Sequence, residues 1–569
     1  MTKVLDKFIL GLAKLSPTNE QELSAAKRRL AKQLSCAIPN GADLIAGLSL
    51  LPEAQAKPLK KLLKKRAVRT MSGIAPVAVL TTPYPCPGRC AYCPTDKDVP
   101  QSYLANEPAV MRAIHCKFDP YEQVIYRLTA LEANGHEPTK IELIVIGGTW
   151  SALPEAYQYW FIKECFRAAN DYPKQFPISN FQFSNKSQIT ISKPLNKSFK
   201  TKLFSEQKRN ETAKYKIIGL TLETRPDYIN EAELWRMREL GATRVEIGVQ
   251  ALDDKILKLN RRGSTVADII QATKLLKNFG FKVTYHFMPA LPGSTPARDR
   301  RMYQDMFTKL NLIAEIIINS KTKPATLKKF LSKSITNNNF DPDQIKFYPT
   351  VVTKGSLLYR WWKAGKYKPY SDKTLRQLII DCKAMTPPFV RIIRLIRDIP
   401  GVSIMAGNKI TNLRQIMKEA GVVCHCLRCR EAGSAVFTLA DVHLFIQKYR
   451  ASGSDEYFIS FASRDQNRVY GFARLRLGPD NVLSPATALL RELHVYGELV
   501  SVGARRAKTQ HQGLGKRLLF QAETLARLAG YTQMAVISGV GVRGYYKKLG
   551  YSLHKTYLVK TLIITKTKI

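Results

Sequence analysis

The stretch that most constrains this chain is Cys86-Pro87-Gly88-Arg89-Cys90-Ala91-Tyr92-Cys93, three cysteines at the spacing C-x3-C-x2-C. A loop of this size wraps one corner of a cuboidal iron–sulfur cluster, and thiolates are the usual ligands of such clusters. Four cysteines would close the cluster. Three leave one iron open to bind something else. A zinc site or three structural thiols are the alternative readings. Zinc takes four ligands, commonly in pairs, and no fourth candidate lies close by in the sequence.

The chain has 569 residues, enough for two to four domains, and 45% hydrophobic content to fill their cores. It carries 89 Lys+Arg against 45 Asp+Glu, a net charge of +44. Such an excess points to a polyanionic partner, nucleic acid ahead of an anionic membrane surface. No run of 18 apolar residues occurs, and Met1 to Leu30 lacks a signal-peptide pattern, so a soluble cytoplasmic protein with no membrane partner is expected. Six of the ten cysteines fall in two tight clusters, which reads as metal binding in a reducing compartment.

Residues 1–70 read as basic helices. Lys27, Arg28, Arg29 and Lys32 form one group, and Lys57, Lys60, Lys61, Lys64, Lys65, Arg66 and Arg69 another. They suit phosphate contacts, with a solvated helix face as the alternative. Short apolar runs then alternate with helical stretches. Strands are expected at Val77–Leu80, Ile141–Ile146, Ile217–Leu222, Val245–Gln250, Val283–Met288 and Ile345–Tyr348, and a helix at Asp119–Ala133. The alternation argues a parallel sheet with helical crossovers, a partial (β/α) barrel. Gly147-Gly148-Thr149 closes the second strand, where glycines permit a ligand to approach the backbone. Glu223, Arg225, Gln250 and His286 stand at strand C-terminal ends, where such barrels carry their chemistry. Residues 171–215 and 320–340 are polar, with few apolar anchors, and are expected to be inserted mobile loops.

Cys424-His425-Cys426-Leu427-Arg428-Cys429 suits a small zinc site, with Cys382 or His425 as fourth ligand, or a metal-free thiol cluster. From about residue 436 strands and hairpins dominate, including Val469–Leu477 and Ala488–Tyr496. Gln510-His511-Gln512-Gly513-Leu514-Gly515 then opens an amphipathic helix, Lys516 to Leu528. A Gln-x-x-Gly-x-Gly turn at a helix N-terminus cradles a pyrophosphate on its backbone N–H groups. A Rossmann loop would need more strands after it. Tyr545 and Tyr546 follow the next strand, either to face a thioester or simply to pack.

These features resemble two known families. Three cluster cysteines with Tyr92 just before the last one resemble radical S-adenosylmethionine (SAM) enzymes. In those enzymes the open iron chelates SAM, and one electron cleaves it to a 5′-deoxyadenosyl radical. The element order after residue 436 resembles a GNAT acetyltransferase, whose pyrophosphate partner is acetyl-CoA. The pairing resembles the catalytic subunit of Elongator and its prokaryotic relatives, the tRNA uridine carboxymethyltransferases. Further matching stretches include Ile146-Gly147-Gly148-Thr149, Thr221-Leu222-Glu223-Thr224-Arg225-Pro226-Asp227-Tyr228, Arg397-Asp398-Ile399-Pro400 and Arg491-Glu492-Leu493-His494-Val495-Tyr496-Gly497. Gly544 stands where members often carry Asn, and the first cysteine gap is shorter than in many of them.

The resemblance implies a division into a tRNA-binding region (1–70), a radical SAM domain (71–400), a zinc-motif linker (401–435) and a GNAT domain (436–569). It implies a 4Fe-4S cluster on Cys86, Cys90 and Cys93, and zinc on Cys424, Cys426 and Cys429. SAM would meet Gly147, Gly148, Thr149, Glu223, Arg225, Gln250 and His286. Acetyl-CoA would be touched by Lys140, Glu492, Leu493, His494, Val495, Gln510, Gly513, Leu514, Gly515, Lys516 and Tyr546, with Lys140, Tyr545 and Tyr546 nearest the chemistry. The implied reaction makes 5-carboxymethyluridine at the tRNA wobble position in the anticodon. It uses an external electron donor and a monomer or homodimer. The rival is a protein lysine acetyltransferase with a structural cluster.

Overall fold

The computed structural model describes residues 2–64, 73–172, 197–319, 322–433, 441–497 and 513–562. Four helices, Thr2–Leu15, Glu20–Gln33, Gly41–Gly47 and Glu53–Leu63, form the N-terminal unit, as its composition implies. Phe8, Leu12, Leu23, Leu30, Leu44 and Leu59 make its small core. Lys57 and Lys61 stay exposed on its outside. Lys65, Arg66 and Arg69 lie outside the described residues.

Among the described residues eighteen strands follow in chain order: β1 (Ala75–Leu80), β2 (Lys140–Ile146), β3 (Lys216–Thr224), β4 (Arg244–Gln250), β5 (Lys282–Phe287), β6 (Ala314–Ile318), β7 (Asn337–Asn338), β8 (Gln344–Phe347) and β9 (Val352–Thr353) lead. Then come β10 (Arg391–Arg394), β11 (Ile404–Ala406), β12 (His443–Ala451), β13 (Ser454–Ala462), β14 (Val469–Leu477), β15 (Thr487–Val495), β16 (Gln533–Val536), β17 (Ser552–His554) and β18 (Tyr557–Thr561).

The first sheet has the order β1-β2-β3-β4-β5-β8-β10, every neighbour pair parallel. Among the described residues nothing pairs β1 with β10, so the barrel stays partial. The period of two along β4 shows what the sheet encloses. Val245, Ile247 and Val249 are fully buried in the hydrophobic core. Arg244, Glu246, Gly248 and Gln250 face the other way and line a cavity. A barrel interior is ordinarily packed with branched apolar side chains. Here that face is polar, and the interior stays open.

The second large sheet runs β17-β18-β16-β15-β14-β13-β12-β6, with β7 beside β12. Two of its strands come from inside the barrel segment. β6 pairs antiparallel with β12, Ile316 opposite Ile446, and β7 pairs parallel with it. This corrects the expectation of a mobile loop over 320–340. Helix Pro324–Leu331 buries Leu327 and Phe330 against the second core. Two apolar residues three apart on a helix suffice to anchor a segment that reads as polar overall. The 171–215 expectation needs the same correction at its end. Lys197–Asn210 is a helix with Leu203 fully buried. Residues 173–196 lie outside the described residues.

The second sheet seats itself against the N-terminal ends of the barrel strands, and ion pairs do the joining. Arg491, fully buried in β15, donates to Glu456 at 2.9 Å, to Asp343 just before β8, and to the Phe281 carbonyl at 2.7 Å. Arg476 donates to Glu456 at 2.9 Å and to Asn278 at 2.7 Å. Lys277 lies 3.5 Å from Glu456. Backbone approach completes the seam. A Cβ on Gly539 would lie 2.0 Å from the Ile218 carbonyl, so only glycine fits there.

Removing one member of a buried charged network strands the others without partners. Arg491→Met is therefore expected to destabilise the folded chain by about 3–5 kcal/mol, read as a lower urea midpoint. A loss below about 1 kcal/mol, the level of a surface pair, would contradict this account of the seam.

Candidate active site

The cysteine loop sits at the C-terminal ends of the barrel strands, fixed by its backbone. Ala91 N–H donates to the Asn260 carbonyl at 2.9 Å, and the Ala91 carbonyl accepts from Leu358 at 2.7 Å. Gly88 N–H points at the Cys86 sulfur at 3.4 Å, and Thr149 Oγ1 lies 3.7 Å from that sulfur. The Cys93 thiol donates to Cys90. That contact and the Arg262 guanidinium push Cys90 down to about 5, against the opposing effect of burial. Cys93 rises well above its ordinary value for the reciprocal reason and through burial.

Below the loop lies a cavity of ≈ 710 Å³. Its upper wall contains Gly148, Thr149, Glu223, Arg225, Gln250 and His286, so the structure brings together the strand-end residues singled out from sequence. Gly147 stays behind them. A Cβ there would strike Thr81 Oγ1 at 2.0 Å, and its φ of +139° suits glycine. Gln250 has φ +67° and a buried side-chain oxygen with no partner. Arg225 Nη1 is likewise buried and unpaired, while Nη2 holds Asp227 at 2.8 Å. Two unsatisfied polar atoms on one cavity wall fit a polar ligand placed between them.

His286 is held between carboxylates. Nε2 lies 2.9 Å from Glu246 and Nδ1 3.6 Å from Glu223, whose other oxygen accepts from Tyr103 at 3.1 Å. Lys346 pairs with the same Glu246. Burial would raise Glu246, but Lys346, His286 and Arg244 more than offset it and hold the carboxyl well below its ordinary range. The strand alternation that marks Gln250 marks Glu246 equally, so a stricter use of period two finds it. Arg262 and Arg397 carry no such local signal. Only the fold brings Arg262 to the Cys90 sulfur and Arg397 to Ser102 beyond the loop.

The same cavity continues to the N-terminal ends of the strands, where Glu492, Leu493, His494, Ser538 and Tyr546 form its floor. Glu492 is clamped by Lys282 at 3.1 Å and Arg474 at 3.0 Å, which outweigh burial and hold it at about 2. Helix Leu514–Leu528 starts from Gly513, whose φ is +79°. A Cβ on Gly515 would lie 3.1 Å from the Tyr545 hydroxyl and 3.8 Å from both Leu493 and Val495, so the helix start, the β15 end and Tyr545 adjoin. Burial pushes Tyr545 up to about 12 and Tyr546 higher, so both phenols keep their protons at neutral pH. Leu514 is buried, and Lys516 follows in the first turn. Gln510 lies outside the described residues. Lys140 opens β2 at this same end but is not part of the cavity lining. Burial pushes its amine down to about 8.

Cys424, Cys426 and Cys429 bring their sulfurs within 4.8 Å of one another. Three Zn–S bonds of about 2.3 Å fit that spacing. Cys382 and His425, the two candidates for a fourth ligand, are not among the three grouped residues. Cys382 is fully buried in the barrel core.

Comparison with known proteins matches this geometry. Residues 82–306 match the Radical SAM superfamily, 342–420 the Radical_SAM C-terminal domain, and 427–551 the acetyltransferase (GNAT) family. The chain is 41% identical over 512 residues to a tRNA uridine(34) acetyltransferase of Dehalococcoides mccartyi, covering 88% of this chain and 100% of that one. It is 35% identical to Elongator complex protein 3 of Homo sapiens, covering 95% of this chain and 92% of that one. The chain belongs to the Elongator catalytic-subunit family. A solved relative, the archaeal Methanocaldococcus infernus Elp3 lacking residues 1–46, superposes with a TM-score of 0.67 at 35% identity, covering 86% of this chain and all of that one. Membership makes the chain an enzyme of the radical SAM and acetyltransferase type. Among the described residues no helix is long and apolar enough to cross a membrane.

Glu492 has a depressed folded pKa. Its stabilising contribution is therefore complete above the unfolded value of about 4.5 and is lost as pH falls toward 2. The contribution is on the order of 3 kcal/mol. Glu492→Gln should unfold at lower urea than the parent at pH 7, and the gap should shrink by pH 3. A gap of constant size would refute the clamp.

Proposed function

We propose that this enzyme forms 5-carboxymethyluridine at the wobble position of tRNA from SAM and acetyl-CoA. The observation that carries this reading is the single cavity joining the cysteine loop to the floor built by Glu492, His494 and Tyr546. An acetyl-CoA methyl group and a SAM-derived radical can share one enclosed space only if their two sites open into it. The names of the relatives, tRNA uridine(34) acetyltransferase and Elongator complex protein 3, support wobble-uridine modification as the task. Eleven arginines, two lysines and six carboxylates line the cavity, a balance that favours an anionic substrate.

In this reading Cys86, Cys90 and Cys93 hold a 4Fe-4S cluster. When bound, the cluster supplies the electron that cleaves SAM to methionine and a 5′-deoxyadenosyl radical. Gly148, Thr149, Glu223, Arg225, Gln250 and His286 hold SAM. The Arg225 Nη1 donor and the Gln250 oxygen gain the partners they lack. Gly513 to Lys516 offer backbone N–H groups to the CoA pyrophosphate, and Tyr545 and Tyr546 face the thioester as neutral phenols. Lys140 lies at the same end. An unactivated methyl C–H bond yields to a radical and not to a side-chain base. The methyl group loses one hydrogen atom and bonds uracil carbon 5. The hydrogen atom leaves in 5′-deoxyadenosine, the ring radical gives one electron to a one-electron acceptor and its carbon 5 proton to solvent, and water cleaves the thioester to release CoA. The uridine must leave its stack to enter. The GNAT sheet covers the lower end of the barrel, which helps to keep water from the radical. Cys424, Cys426 and Cys429 take zinc.

The test is anaerobic. Reconstituted enzyme receives a chemical reductant, SAM, acetyl-CoA labelled in its methyl carbon and unmodified tRNA. Digested RNA should yield labelled carboxymethyluridine that disappears when SAM is omitted. Labelled acetyl groups on protein, with none on RNA, would favour the lysine acetyltransferase instead. Cys90→Ala should abolish the product while tRNA retention on a filter stays within about twofold of the parent. Equal loss of binding in a folded variant would count against the cluster assignment.

A further inference from the structure

Two buried arginines stand behind the cysteine loop, and neither serves the seam described above. Arg262 is 5% exposed. Its Nη1 donates to the Cys90 sulfur at 3.7 Å, and its Nη2 and Nε donate to the Gly248 carbonyl at 2.6 Å and 3.2 Å. Its own carbonyl accepts from Arg225 Nη2 at 2.8 Å. Arg225 is in turn fixed by a two-pronged contact with Asp227. Glycines make the room. A Cβ on Gly248 would lie 2.7 Å from Arg262 Nη2, and one on Gly88 2.3 Å from Arg225 Nη1. The guanidinium of Arg262 is thus held by the Gly248 carbonyl and aimed at one sulfur.

No carboxylate pairs with Arg262 within ion-pair distance among the described residues, so its charge is spent on the cysteine loop. Arginine keeps its proton under all relevant conditions, and a buried charge acts through a weakly screening medium. Three thiolates already make the cluster site anionic, and one-electron reduction adds another negative charge. A fixed cation beside a ligand sulfur stabilises the reduced form more than the oxidised one. Hydrogen bonds to cluster sulfurs are a recognised means by which proteins set the potential.

We propose that Arg262 is a positioning residue that raises the reduction potential of the cluster through its hydrogen bond to the Cys90 sulfur, with Gly248 and Arg225 as its supports. The proposal rests on the reading of Cys86, Cys90 and Cys93 as cluster ligands. Its role is to bring the cluster within reach of the electron donor, and it takes no part in the chemistry of acetyl-CoA or uridine.

The experiment compares parent, Arg262→Met and Arg262→Gln after anaerobic reconstitution. Iron and sulfide content are measured first, then a redox titration is followed by the EPR signal of the reduced cluster, without SAM or tRNA. At the potential where the parent is half reduced, Arg262→Met should show a reduced-to-oxidised ratio about tenfold lower, equal to about 59 mV for one electron. Arg262→Gln, which keeps a donor without the charge, should fall between them. A fully loaded variant with the parent's potential overturns the proposal. If one variant fails to load, the other decides. Failure of both makes Arg262 an assembly residue and overturns it too. A parent without any 4Fe-4S signal would instead defeat the ligand assignment itself, and the proposal with it.

Discussion

The structure depends on a cluster of charges that water cannot reach. Arg491, Glu456 and Asp343 are fully buried, and Arg474, Arg476 and Lys277 close around them. Each of these ions would be costly to bury alone, and each is made tolerable by the next. Asp343 belongs to the barrel, Arg491 and Glu456 to the GNAT sheet. The network therefore exists only when both units are folded and docked. The same strand that carries Arg491 carries Glu492, Leu493 and His494 into the cavity. Docking and site formation are consequences of one strand in one register.

That register decides the shape of the interior. Barrels of this kind fill themselves when their inward residues are branched and apolar. Here Glu142, Glu246, His286 and Lys346 face inward; His286 and Lys346 both pair with Glu246, and Glu142 pairs with Arg244. A polar, mutually paired wall resists collapse, because collapse would strand its hydrogen bonds. The GNAT sheet then covers the N-terminal strand ends, the face that similar barrels reserve for stability. Both strand ends of this barrel border the cavity.

Much of this could be read from residue order. The parallel strands follow from apolar runs separated by helix-length crossovers, and all six of those expected are present within a residue or two. Glu223, Arg225, Gln250 and His286 were legible as strand-end residues and do share one wall. The helix at Lys197–Asn210 and the anchored segment around Leu327 and Phe330 were not, because average polarity hides two well-placed apolar side chains. Cys382, offered with His425 as a fourth zinc ligand, lies outside the group of three sulfurs, a matter of spatial placement that composition does not carry.

The sequence alone determined the two cofactor-type motifs, the element order and the family, since each rests on local spacing that a short segment carries by itself. Tertiary structure alone decided that Arg262 meets Cys90 across 172 positions, that Arg491 reaches Asp343 across 148, and that the two motifs open into one cavity. Such pairings depend on how strands are ordered in a sheet and how two sheets dock. Those choices are fixed by the joint burial of many side chains, so no local window contains them.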